Sequence, residues 1–92
     1  MLTVNAFLHI NSDKKEEYLE KVNYLVLESQ KEHGCLFYNH YENVEKLDEF
    51  IIVEHWEDEI AIENHKESVH FKDFIEKINQ YLVEDLNIII SS

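Results

Sequence analysis

The chain has 92 residues, with eight lysines, no arginine and twenty carboxylates, for a net charge of −12. That charge repels nucleic acid and anionic lipid, which argues against a binder of phosphate backbones, and the missing arginine removes the usual bidentate clamp for anions. The length allows one small domain, whose modest core makes a partner subunit a natural second source of burial. No apolar run reaches membrane-spanning length, and "MLTVNAFLHI" has neither a basic start nor a small-residue cleavage site, so no membrane association is expected and the expected compartment is cytoplasmic. The lone Cys35 cannot form an internal disulfide, which agrees with a reducing environment.

"LTVNAFLHI" (2–10) is rich in β-formers and predicts a strand. Its two faces are Leu2, Val4, Ala6, Leu8, Ile10, wholly apolar, and Thr3, Asn5, Phe7, His9, mixed. "SDKKEEYLEKVNYLVLESQKEHG" predicts a helix capped by Ser12 or Asp13, with Asp13 and Glu16 resembling a capping box. Leu19, Val22, Leu25 and Val26 recur at helical spacing with Tyr18 alongside. The single glycine, Gly34, falls where a helix end favours a left-handed residue.

"CLFYNHYEN" and "EFIIVEHWE" read as a hairpin around the polar turn "VEKLD". Phe50, Ile52, Glu54 and Trp56 share one face of the second strand, and Ile51, Val53 and His55 the other. "DEIAIENHKE" and "SVHFKDFIEKINQYLVEDL" predict helices with Asp58 and Ser68 as N-caps. "LNIII" predicts a last strand covered on both faces, because it lacks polar alternation. The order βαββααβ is a ferredoxin-like α+β arrangement with one interrupted middle helix and a four-stranded antiparallel sheet. Helices on one face leave the other needing cover, so a homodimer is expected.

"NHKESVH" (64–70) concentrates titratable groups at the corner between the last two helices. With Ser68 as a cap, His65 and His70 lie on different segments, and in one continuous helix they would point about 140° apart. Neither HExxH, CxxC nor a calcium-loop spacing is present, so no metal site is expected. His70 is expected at a solvated corner beside Glu67.

"EHGCLFYNHYE" followed by "FIIVEHWEDEIAIENHKESVHFKDF" resembles the antibiotic biosynthesis monooxygenase (ABM) family over nearly the whole chain. The densest part runs from Glu54 and Trp56 through Ala61 to His65, Ser68, His70 and Phe71, with Glu32, Gly34, Cys35 and Tyr38 in support. The resemblance implies one domain over 1–92 that pairs sheet to sheet as a dimeric α+β barrel. It also implies a pocket between sheet and helices that takes a small aromatic substrate.

Quinol-oxidising members oxygenate aromatic diols with O2 as co-substrate and without metal, flavin or haem. Such chemistry needs a base for a phenolic proton, a dry pocket, and donors for the developing oxyanion. The resemblance assigns the base to His65. Asn5 and Trp56 are candidate donors, Tyr38, Phe71 and Phe74 candidate walls, and Glu54 and His70 further substrate-side groups. In the haem-degrading branch the iron ligand falls near Ile75 here, and isoleucine cannot bind iron. A second branch, isomerases of a phosphorylated autoinducer-2 signal, would use the same His65, with phosphate seated on the amides of Val69 and His70 near Lys66 or Lys72. A non-catalytic, ligand-binding dimer is the third reading.

Overall fold

A computed structural model describes residues 1–92. The elements are β1 (Leu2–His9), a 3-10 turn (Ser12–Lys14), α1 (Lys15–Gln30), β2 (Cys35–Glu42), β3 (Glu49–Trp56), α2 (Glu59–Lys66), α3 (Val69–Ile78) and β4 (Asn87–Ser91). The sheet order is β2-β3-β1-β4 with every neighbouring pair antiparallel, which is the α+β ferredoxin-like fold. No helix is long and apolar enough to cross a membrane.

Cross-strand partners share a face of the sheet. Val4 lies opposite Glu54, Leu2 opposite Trp56 and Tyr38 opposite Glu54, so these five side chains stand on the helix-covered face. The core forms there, around Trp56, Tyr18, Tyr81, Leu25 and Val22. Burying one such large apolar side chain stabilises the fold by about 1.5–3 kcal/mol. The buried stripe of α1 is Tyr18, Val22, Leu25 and Ser29, spaced by four, three and four residues. Leu19 falls beside that stripe and stays exposed, against the sequence expectation.

The opposite face carries Asn5, Phe7, Asn39, Tyr41, Ile51, Val53 and Ile89, none of them buried, with Phe7 41%, Tyr41 48% and Ile89 50% exposed. β4 is an edge strand, exposed along its whole length. The expectation that both of its faces are covered therefore fails within one chain. Ile88 and Ile90 lie opposite Ala6 and Val4 on the helix side, yet remain half-exposed.

Two helix boundaries differ from their sequence signals. The first turn after β1 is capped by Asn11, whose Oδ1 accepts from the Asp13 amide at 3.0 Å, and not by Ser12 or Asp13. α3 stops at Ile78, well before Leu86. Beyond it the Tyr81 carbonyl accepts from the Asn11 amide (2.7 Å), and the Val83 amide donates to the His9 carbonyl (2.9 Å). These bonds to the end of β1 replace the helical ones, so tertiary pairing overrides propensity.

Gly34 has φ +85°, in the left-handed region expected at this turn. A Cβ there would also lie 2.6 Å from the Ala61 Cβ. This contact sets how closely α2 approaches the end of α1. One turn after Ala61 stands His65.

Candidate active site around His65

Local capping builds the corner. Asp58 Oδ1 accepts from the Ala61 amide at 2.9 Å and starts α2. Ser68 Oγ accepts from the Phe71 amide (3.2 Å) and donates to the His65 carbonyl (2.6 Å), so one hydroxyl closes α2 and opens α3. Both caps agree with the sequence signals.

The corner is not a solvated junction. His65 is 3% exposed, packed among the rings of Trp56 (4.6 Å between centroids), Phe71 (4.9 Å) and Tyr38 (5.5 Å). Its Nδ1 lies 2.6 Å from Glu32 Oε2, and His70 Nε2 lies 2.7 Å from the same oxygen. Glu67, the expected neighbour of His70, instead pairs with Lys72 at 2.8 Å. The helices part the two histidines in sequence, and Glu32, just beyond the end of α1, brings them together.

An ionised carboxylate can only accept, so both ring nitrogens facing Glu32 carry protons. With the His65 proton on Nδ1, its Nε2 presents a lone pair. That atom is buried and has no hydrogen-bond partner. Burial pushes the His65 pKa down, while the hydrogen bond and charge of Glu32 push it up and the nearby His70 adds a further lowering. The net direction is downward, which keeps the imidazole neutral near pH 7.

Glu32, His65 and His70 are also the side chains best placed to hold a metal ion, since one donor atom of each lies within 4.8 Å of the others. Ligation through Nδ1 would leave the His65 proton on Nε2. Metal-bound histidines nearly always donate that second N–H to an acceptor, and here none is in reach. The donor set suits proton sharing better than ligation.

The remaining predicted residues divide. Tyr38 and Phe71 line the His65 ring, as expected of wall residues. Phe74 is buried core. Trp56 is fully buried, and its indole N–H donates to Glu54 Oε1 at 2.9 Å, so it is not free to donate to a substrate. Glu54 holds Trp56, and Glu32 orients the histidine. Burial raises the Glu54 pKa to about 7. Asn5 stands on the other face of the sheet, opposite Val53, and does not join His65 within one chain. Lys66 lies 3.5 Å from Glu63 and Lys72 is bound to Glu67, which leaves both lysines of the imagined phosphate seat beside carboxylates. None of the main surface clefts is lined by His65; the largest, about 690 Å³, lies between α1 and β2 beside His40. Glu32 entered the sequence reading only as a residue supporting the family resemblance, and no local signal marked it as the partner of His65.

A four-stranded antiparallel sheet covered by helices on one face places the chain among small ferredoxin-like α+β proteins, and comparison with known proteins agrees. Residues 1–77 match the family model described as antibiotic biosynthesis monooxygenase, and the chain belongs to that family. It is 32% identical over 89 residues to the Bacillus subtilis (strain 168) protein YcnE, named as a candidate monooxygenase, covering 97% of this chain and 94% of that protein. A conserved protein from Methanosarcina mazei Go1 superposes with a TM-score of 0.94 at 28% identity, over 98% of this chain and 89% of that one. A crystal structure of an antibiotic biosynthesis monooxygenase does so with a TM-score of 0.94 at 25% identity, over 100% and 97%. The family and the name given to YcnE support a monooxygenase-like function.

Proposed function

We propose that the protein oxygenates a small aromatic diol with O2, using His65 Nε2 as the base and no metal, flavin or haem. The supporting observation is the free Nε2 lone pair, held inward by the Nδ1–H bond to Glu32 amid aromatic rings. His65 takes a phenolic proton, and the phenolate is a far better electron donor than the phenol. A ring carbon of the anion bonds to O2; the O–O bond then breaks, one oxygen staying on the ring and the other leaving as water. The balance is diol plus O2 to hydroxyquinone plus water, with every electron supplied by the substrate. Tyr38, Trp56 and Phe71 supply the apolar surround that keeps bulk water out.

The unit is a homodimer closed across the open sheet face, where Phe7, Tyr41, Ile51, Val53 and Ile89 cluster. Light scattering at micromolar concentration tests this, and a monomer there refutes it. The reaction is tested by oxygen uptake of chelator-treated protein with a panel of hydroquinones. Uptake that vanishes in His65→Gln supports the reading; no uptake with any of them counts against it. A neutral histidine among aromatic rings would equally line a pocket that binds without converting, which is the ligand-binding alternative. A hydroquinone that binds in calorimetry without oxygen uptake would select that alternative.

A further inference from the structure

Glu32 offers one oxygen to two imidazoles. His65 reaches it with Nδ1 at 2.6 Å and His70 with Nε2 at 2.7 Å, and the two rings lie 5.9 Å apart. One carboxylate balances one positive charge, and two imidazolium rings at that separation repel each other in a site where no second carboxylate is free to balance the excess. We infer that His65 and His70 share a single positive charge through Glu32, so that a proton taken up by His65 is matched by one released from His70 to solvent.

The surroundings leave little else to balance the charge. From β2 the cluster meets Tyr38 and Cys35, and from β3 it meets Glu54, which is spent on the Trp56 indole. From α1 the remaining charged neighbour is Glu28, which lies in the electrostatic field of His70 and is itself bound to Lys31 at 2.9 Å. His70 stands at the outer side of the cluster, with a side chain more exposed than that of His65. Its Nδ1, the nitrogen not engaged by Glu32, is the one free to release a proton.

No proton has to cross the carboxylate. With one positive charge in the cluster, either ring can hold it against the Glu32 oxygen that both face. When Nε2 of His65 takes a proton, His70 gives up its Nδ1 proton, and the cluster keeps its net charge. His70 thus acts through Glu32 and is a positioning residue. The inference rests on the reading of His65 as the base, although the coupling itself needs no substrate.

The test is an NMR titration of the imidazole Cε1–H and ring nitrogen resonances in the full chain. Coupled sites titrate with shared macroscopic midpoints. Wild type should show two inflections at the same pH values in both His65 and His70. His70→Gln keeps an N–H donor for Glu32 but removes the competing charge, and should move the His65 midpoint up by about one pH unit. Glu32→Gln should move it down. Single, independent inflections in wild type, or a His65 midpoint unmoved in His70→Gln, would overturn the inference. Oxygen uptake separates the two failures, because coupled titration without uptake removes the monooxygenase reading and leaves the coupling standing.

Discussion

Two histidines on the covered side of the sheet, His65 and His40, make an instructive pair. His40 stacks on Phe50 (4.9 Å between centroids, 12° between planes), and its Nε2 lies 2.9 Å from the Tyr18 hydroxyl. Burial drives its pKa down to about 4, with only the field of Glu42 opposing. His65 is buried more deeply yet has a carboxylate on one nitrogen and nothing on the other. Both rings are desolvated. One has a hydroxyl partner and stays neutral over the useful pH range; the other has a charge that can stabilise its protonated form. Burial alone keeps a histidine neutral, whereas burial against an orienting carboxylate leaves the opposite nitrogen able to accept a proton.

The largest expected effect breaks the pair apart. His65→Gln should lower turnover of an accepted quinol by about 10²–10⁴-fold, the usual loss for a general base. His40→Gln should change it only a few-fold, as measured by initial oxygen uptake. In wild type the rate should be full above the His65 midpoint and fall as pH drops through it, at a pH below the usual 6.5 because burial lowers that midpoint. Equal losses in the two variants would erase the distinction.

Gly34→Ala acts on one region and spares the other. The φ of +85° and the 2.6 Å approach to Ala61 together should destabilise the fold by about 2–4 kcal/mol, read by denaturant unfolding. The Tyr18–His40 pair lies away from this contact. Its resonances should move less than those of His65 in any folded fraction.

The acid limb of stability sharpens the account of His40. Its folded pKa of about 4 lies below the unfolded 6.5, so its contribution is complete above 6.5 and is lost as pH falls towards 4. Wild type should lose on the order of 2 kcal/mol more than His40→Phe between pH 7 and pH 4. Glu54 has the opposite sign. Its folded pKa of about 7 lies above the unfolded 4.5, so its contribution is present below 4.5 and lost as pH rises through 7. Between pH 5 and pH 8 wild type should lose on the order of 2 kcal/mol more than Glu54→Gln. Parallel slopes in wild type and either variant would show that the group titrates as it does in the unfolded chain.

The sequence by itself determined the element order, the faces of β1 and β3, the caps Asp58 and Ser68, and the turn at Gly34. Each depends on neighbours a few residues apart, through alternation, capping chemistry or backbone freedom. It also singled out His65, through its place in a family pattern. Only the tertiary structure decided what His65 touches. Glu32 lies 33 residues away in sequence, and no local rule joins a helix end to a corner between two later helices. The same limit governed Asn5, whose face was legible while its separation from His65 required the pairing of β1 with β3. Trp56 was legible as a residue of the covered face, but that its N–H is held by Glu54 depends on side-chain geometry within the packed core. Periodicity assigns faces, and long-range packing assigns partners. The chemistry of this corner depends on the partners.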